Sequence, residues 1–84
     1  MREKISARLK QILAKELNIE ISKINEDSRL AEDLGADSLD TTEIVMVIEE
    51  EFNYRLRDDD VALIKTVGDL LAILLSADIK ENNS

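Results

Sequence analysis

Residues 37–52 read DSLDTTEIVMVIEEEF and contain the strongest structural signal in the chain. Apolar side chains recur in this stretch at positions i, i+3, i+4 and i+7, which is the period of an amphipathic helix. The face that they form is expected to lie on the core, and it comprises Thr41, Ile44, Val45, Ile48 and Phe52. The stretch therefore predicts a helix that buries one face and exposes another.

Both ends of this predicted helix carry boundary signals. Asp37 or Ser38 can cap its start, with Asp40 or Thr41 three residues further on. Asn53 follows the last apolar residue, and asparagine tolerates the left-handed conformation that ends many helices. The helix is therefore expected to end near residue 53.

The sequence before this helix divides into another helix and a connection. Apolar residues at helical spacing predict an amphipathic helix over roughly residues 3–16; they are Ile5, Leu9, Ile12, Leu13 and Leu17. Residues 18–36 show no sustained period and predict a long connection. Its apolar residues are expected to anchor it to the core, and they are Ile19, Ile21, Ile24, Leu30 and Leu34.

Two further helices are predicted after residue 53, of which only the first is short. Residues 58–60 are all aspartate, which suits the N-terminus of a short helical turn. Thr66 has the character of an N-cap, with Asp69 at the third helical position of a last helix that is apolar on most sides. Three main helices and one short helix predict an all-α bundle. We expect one domain over residues 1–77 and a frayed tail over 78–84.

Composition narrows the classes of function. The chain has 84 residues, enough for one domain, and it has neither cysteine nor histidine. Disulfides, zinc–cysteine sites and the usual general base near neutral pH are therefore missing, which argues against an independent enzyme. The longest purely apolar run is residues 70–75, and the N-terminus does not resemble a signal peptide. We expect a cytoplasmic protein without membrane insertion.

The negative charge is concentrated in one part of the chain. The formal net charge is -8, and residues 37–60 carry nine acidic and two basic side chains, a net -7. Glu49, Glu50 and Glu51 occupy the last helical turn, where the helix dipole disfavours acids, and no lysine or arginine occurs from 38 to 54. Arg55 and Arg57 are placed to compensate in part. Recognition by a basic partner protein explains the pattern better than stability does, and nucleic acid is excluded by repulsion.

Ser38 places a hydroxyl at the mouth of the acidic helix. Serine at such a position is most often a cap or first-turn residue. It is not a nucleophile of the protease or esterase type, because no histidine or cysteine can supply or replace the base. It could still be modified by another enzyme, since the free N–H groups of a helix N-terminus tolerate an attached phosphate.

Residues 32–41, EDLGADSLDT, together with 43–46 and 49–52, resemble the acyl carrier protein of dissociated (type II) bacterial fatty acid synthesis. The resemblance extends from about Ile5 to Leu74 and implies an acyl-carrier-protein-like fold. It implies that Ser38 accepts 4′-phosphopantetheine from coenzyme A through a phosphodiester. A thioester on the terminal thiol of that arm holds the growing acyl chain. The protein is then a carrier and cosubstrate with no catalytic residues of its own.

The resemblance also implies a face that docks on electropositive patches of partner enzymes. The matching positions are Asp37, Leu39, Asp40, Glu43, Met46, Val47, Glu50, Glu51, Leu56 and Asp58. The implied partners are the phosphopantetheinyl transferase (holo-acyl-carrier-protein synthase), malonyl transferase, ketoacyl synthases, reductases, dehydratases and acyltransferases. The carrier is expected to be a monomer. An acyl pocket between the helices is implied as well, lined by Val45, Ile48, Phe52, Ile64, Leu70 and Leu71.

Five positions depart from the family's commonest pattern: Thr42, Arg55, Arg57, Leu63 and Lys65. These differences affect which partner enzymes can bind the protein and which acyl group it can carry. Two alternatives stay open at this level: a carrier of another pathway, such as a D-alanyl, polyketide or lipid-A-type carrier, and an interaction module with an unmodified Ser38. The sequence contains no calcium loop of the Asp-x-Asp-x-Asp-Gly type, so no metal site is predicted, although clustered carboxylates permit loose divalent binding.

Overall fold

Residues 2–76 are described by the computed structural model, and within them four α-helices and one short 3-10 helix account for the regular structure. The helices are α1 (Arg2–Leu17), α2 (Ser38–Phe52), α3 (Asp58–Leu63) and α4 (Val67–Ser76). The predicted all-α bundle of three main helices and one short helix is confirmed. The tail expected over residues 78–84 lies outside the described part of the chain.

The core lies between the three long helices. α1 packs against both α2 and α4, which is why its apolar residues are spaced at one helical face. The side chains at the centre are at most 1% exposed; they include Leu9, Leu13, Ile44, Ile48, Leu70, Leu71 and Leu74. α4 is apolar on most sides, but the four of its ten residues that are buried lie on one face, at Val67, Leu70, Leu71 and Leu74.

The connection between α1 and α2 is anchored by Ile24 and Leu30, which are 2% and 4% exposed. The expectation that Ile21 also anchors this connection was wrong, because its side chain is 45% exposed. Ile21 opens the 3-10 helix Ile21–Lys23, and that turn buries none of its residues. The inward position falls instead on the residue that follows the turn, Ile24.

Backbone hydrogen bonds tie this connection to the start of α4. Leu30 N donates to Lys65 O at 2.9 Å, and Val67 N donates to Ser28 O at 3.0 Å. Gly68 N donates to Glu26 O at 2.8 Å, and a Cβ at Gly68 would lie only 3.1 Å from that same oxygen. The absence of a side chain at residue 68 therefore permits this close approach. These pairings hold the segment that leads into α2.

The predicted cap of α4 is present. The Asp69 carboxylate accepts hydrogen bonds from the N–H groups of Lys65 at 2.8 Å and Thr66 at 3.0 Å, and Thr66 Oγ1 accepts from the Asp69 N–H at 3.1 Å. These bonds from the Lys65 and Thr66 N–H groups lower the pKa of Asp69 below its ordinary value of 3.8. The ionised form is therefore favoured in the folded protein.

Replacing Asp69 with asparagine is expected to lower the free energy of unfolding at pH 7 by about 0.3–1 kcal/mol, because a neutral amide accepts weaker hydrogen bonds than a carboxylate and no longer interacts with the helix dipole. Because the pKa of Asp69 is lowered on folding, its contribution is complete above about pH 4 and is lost as the pH falls through the folded-state pKa. Urea unfolding at pH 7 and pH 3 measures the difference in unfolding free energy between the two proteins, and this difference should be smaller at pH 3. The control is Asp27→Asn at an exposed carboxylate. A difference in unfolding free energy that is the same or larger at pH 3 would contradict the prediction.

Candidate functional site

Ser38 is the first residue of α2, and its side chain is exposed. The cap in front of it is Asp37: the Asp40 N–H donates to Asp37 Oδ1 at 2.8 Å, and the Asp37 N–H donates to Asp40 Oδ2 at 3.2 Å. This reciprocal capping box resolves the two alternatives that the sequence left open. Since Asp37 performs the capping, the Ser38 hydroxyl takes no part in it.

A hydrogen-bonded turn precedes Ser38 in the chain. Ala36 N donates to Leu30 O at 2.8 Å, and the Ala36 side chain is 6% exposed, so it anchors the approach to the helix. Gly35 has a φ of 77°, in the left-handed region that favours glycine, and a Cβ there would meet no atom within 4 Å. Backbone conformation and not space is therefore the reason for glycine at residue 35.

The carboxylates near this turn are engaged by the backbone. The Asp33 carboxylate accepts from the Arg29 N–H at 2.8 Å and from the Arg29 guanidinium at 3.4 Å, and these bonds lower the pKa of Asp33. Asp37 and Asp40 accept the capping bonds. All three carboxylates thus serve as hydrogen-bond acceptors that shape the entrance to α2.

The outer face of α2 carries most of the side chains expected to meet a partner. Leu39 and Met46 are 66% and 56% exposed, large fractions for apolar side chains. Other members of the expected set are exposed or half-buried: Asp37, Asp40, Glu43, Val47, Glu50, Glu51 and Asp58. The structure therefore brings an acidic and partly apolar surface next to Ser38.

Leu56 does not belong to that surface. Its side chain is 5% exposed and lies in the hydrophobic core, so the expectation that it faces a partner was wrong. An apolar residue in a short connection between two helices is drawn inwards because its burial stabilises the connection. The Leu56 N–H is also held, since it donates to Glu49 Oε2 at 2.9 Å.

The three consecutive glutamates have different roles in the structure. Glu49 accepts the hydrogen bond from Leu56 N, and Glu51 forms an ion pair with Arg8 of α1. Two of the three acids therefore have internal contacts, which the sequence interpretation, with its preference for recognition over stability, did not include. Neither Arg55 nor Arg57 forms an ion pair within residues 2–76, and the partial compensation expected from them stays a prediction.

The six residues expected to line an acyl pocket all belong to one hydrophobic core. Ile48, Leu70 and Leu71 are at most 1% exposed, and the other three are half-buried and pack against the core: Val45, Phe52 and Ile64. The structure thus places these six residues in or against one core.

Two depressions flank the outer face of α2, and the sequence did not reveal them. One, of about 220 Å³, is lined by Glu16, Glu43, Met46, Val47 and Glu50. The other, of about 500 Å³, is lined by Met46, Glu49, Glu50, Asn53, Tyr54 and Arg55. Glu16 belongs to α1, so its place beside α2 depends on helix packing, for which no sequence signal existed.

Two further properties concern the described residues 2–76. None of the helices there is both long and apolar enough to span a membrane. Over the same range, no three or more acidic, histidine or cysteine side chains are grouped to hold a metal ion.

Comparisons with known proteins agree with this geometry. Residues 7–74 match the family described as "Phosphopantetheine attachment site". An acyl carrier protein of Chlamydia caviae is 41% identical over 66 residues, which cover 79% of this chain and 86% of that protein. A solved structure from Mycobacterium tuberculosis, described as a candidate acyl carrier protein, superimposes with a TM-score of 0.82 at 26% identity, covering 86% of this chain and 96% of the other. The chain therefore belongs to the acyl carrier protein family and is a carrier that uses 4′-phosphopantetheine, not a catalyst.

Proposed function

We propose that Ser38 is the attachment residue and that the chain carries growing fatty acyl chains in dissociated fatty acid synthesis. One observation carries the assignment: the exposed Ser38 hydroxyl stands on the first residue of α2, outside the capping box and inside the region that matches the family. In the loading step, Ser38 Oγ bonds to the phosphorus that bears the pantetheine arm of coenzyme A. The bond to 3′,5′-ADP breaks, and the hydroxyl proton passes to the loading enzyme.

The start of α2 fits a phosphodiester. A 15-residue helix presents its positive end and its first N–H groups there, and these favour a bound phosphate. When bound, the arm supplies a thiol for thioester formation, and no side chain of this protein offers one because the chain has no cysteine. The chain's own contribution is to present Ser38 and to leave its hydroxyl accessible.

Loading needs a separate enzyme. The nearby carboxylates of Asp33, Asp37 and Asp40 accept backbone hydrogen bonds, and the chain has no histidine to act as a general base for Ser38. We therefore assign activation of the hydroxyl to a phosphopantetheinyl transferase. Its action on Ser38 also separates the carrier proposal from the alternative of an unmodified interaction module.

The outer face of α2 is the proposed docking surface for partner enzymes. The partners are the transferase, malonyl transferase, ketoacyl synthases, reductases, dehydratases and acyltransferases, each with a basic patch. Exposed ion pairs are worth about 0–1 kcal/mol each, so several of them give a contact that forms and dissociates readily. We place the carrier in the cytoplasm as a monomer whose domain ends near residue 77. The closed core around Ile48 is proposed to open between the helices for an acyl chain.

Loading of the full chain tests the proposal. The protein is incubated with coenzyme A and a phosphopantetheinyl transferase, and intact mass is measured before and after. We expect a gain of one phosphopantetheine group, located on Ser38 by fragmentation of the modified peptide. A second carrier protein treated in parallel confirms that the transferase is active. No mass gain beside a loaded reference, or a group located on another serine, would contradict the assignment.

A further inference from the structure

The two depressions on the outer face of α2 share part of their lining. Met46 and Glu50 line both depressions, and they are four residues apart, which places them on the same side of the helix. The Met46 side chain is 56% exposed at this border. A partner group that contacts Met46 or Glu50 therefore lies at the border of both depressions.

Both depressions are net acidic, but only the larger one contains a basic side chain. The smaller one combines three acids from two helices, Glu16, Glu43 and Glu50, with the apolar side chains of Met46 and Val47. The larger one contains Glu49 and Glu50 but also Arg55, the single basic residue that lines either depression. A purely basic partner surface would complement the first depression and would meet a like charge at the second.

Arg55 lies beside Glu49 and Glu50 in the larger depression without forming an ion pair with either of them. Glu51 pairs with Arg8 of α1, and Glu49 accepts the Leu56 N–H. No ion pair within residues 2–76 involves Arg55. Arg55 is exposed and lines the larger depression, where its guanidinium is available to an incoming carboxylate.

We propose that Arg55 is a specificity-determining residue: it selects partners that place one carboxylate beside an otherwise basic docking patch. The proposal rests on the docking function proposed for α2. A carboxylate pairs well with a guanidinium because the two groups match in geometry and charge. A partner with a basic residue at the same place is disfavoured by like charge, so one side chain both attracts and excludes. Met46 adds an adaptable apolar contact at the centre of the surface.

Charge reversal distinguishes this proposal from general electrostatics. If the partner surface were uniformly basic, Arg55→Glu would strengthen binding, because it makes the docking face more acidic. We expect the opposite: about fivefold weaker binding for Arg55→Glu, which is the change associated with one lost surface ion pair. Arg55→Gln should weaken binding less, and Arg55→Lys should retain most of it.

Arg57→Glu is the matched control. It makes the same change of charge two residues away, at an exposed side chain that lines neither depression. Binding of the loaded full-length carrier to a ketoacyl synthase of the same organism is measured by isothermal titration calorimetry. Equal or tighter binding of Arg55→Glu, or equal weakening by Arg57→Glu, overturns the role of Arg55. Intact mass confirms loading beforehand, so a failure at that stage counts against the carrier assignment and not against Arg55.

Discussion

Replacing Ser38 with alanine is expected to abolish the mass gain from coenzyme A and a phosphopantetheinyl transferase. The substitution removes the one oxygen through which the phosphodiester would form, so the loss should be complete and not partial. The cap of α2 should survive, because Asp37 and Asp40 form it without the Ser38 side chain. Thermal unfolding followed by circular dichroism should give an unfolding free energy within about 0.5 kcal/mol of that of the original protein.

Ser22→Ala provides the matched control for Ser38→Ala. Ser22 is also exposed, but it lies in the 3-10 helix Ile21–Lys23 and not at the start of a long helix. We expect full loading of this control under the same conditions. A mass gain that persists in Ser38→Ala would contradict the assignment, whatever the behaviour of the control. A loss of loading in Ser22→Ala would show that recognition by the transferase extends beyond the start of α2.

Replacing Ile48 with alanine is expected to cost about 2–5 kcal/mol of unfolding free energy, the range for large-to-small changes in cores. Ile48 is fully buried at 0% exposure, so the variant loses buried apolar area and leaves a cavity. For a domain of this size, that loss corresponds to a fall of about 10 °C or more in Tm. Urea unfolding of the unloaded protein measures the change directly.

Met46→Ala is the control for Ile48→Ala on the same helix. Its side chain is 56% exposed, so its removal should change the unfolding free energy by no more than about 0.5 kcal/mol. Equal losses in the two variants would contradict the packing described here.

An attached acyl chain extends the Ile48 experiment to the proposed pocket. A medium-length chain on the arm should raise Tm of the original protein, and it should raise Tm of Ile48→Ala by more, because the chain can fill the new cavity. No stabilisation of either protein by the chain would contradict a pocket in this core.

Local signals predicted the helices well because they act over a few residues. Asn53 has φ 52° and ψ 48°, the left-handed conformation that the sequence indicated for the end of α2. Thr66 and Asp69 form the expected reciprocal cap. Ser38 could also be singled out, because its sequence neighbours and the start of a helix are both local features.

Contacts between distant segments could not be predicted in the same way. Leu56 is apolar and lies beside the acidic helix, yet its burial depends on where α3 directs the chain. The ion pair between Arg8 and Glu51 joins residues 43 positions apart. Glu16 reaches the face of α2 only because α1 and α2 pack side by side.

Amphipathic period, capping residues and the motif around Ser38 established the all-α bundle and the candidate attachment residue, since each is a short-range property of the chain. The division of the acidic residues between internal contacts and the docking surface followed from the packing of the helices. Glu49 and Glu51 take part in internal contacts, Glu50 lies on the outer face of α2, and Arg55 lines a depression. The physical reason is that the sequence determines the charge of a side chain, but the fold determines which groups lie close enough to pair with it. Charges interact strongly only over a few ångströms, and the tertiary structure sets those distances.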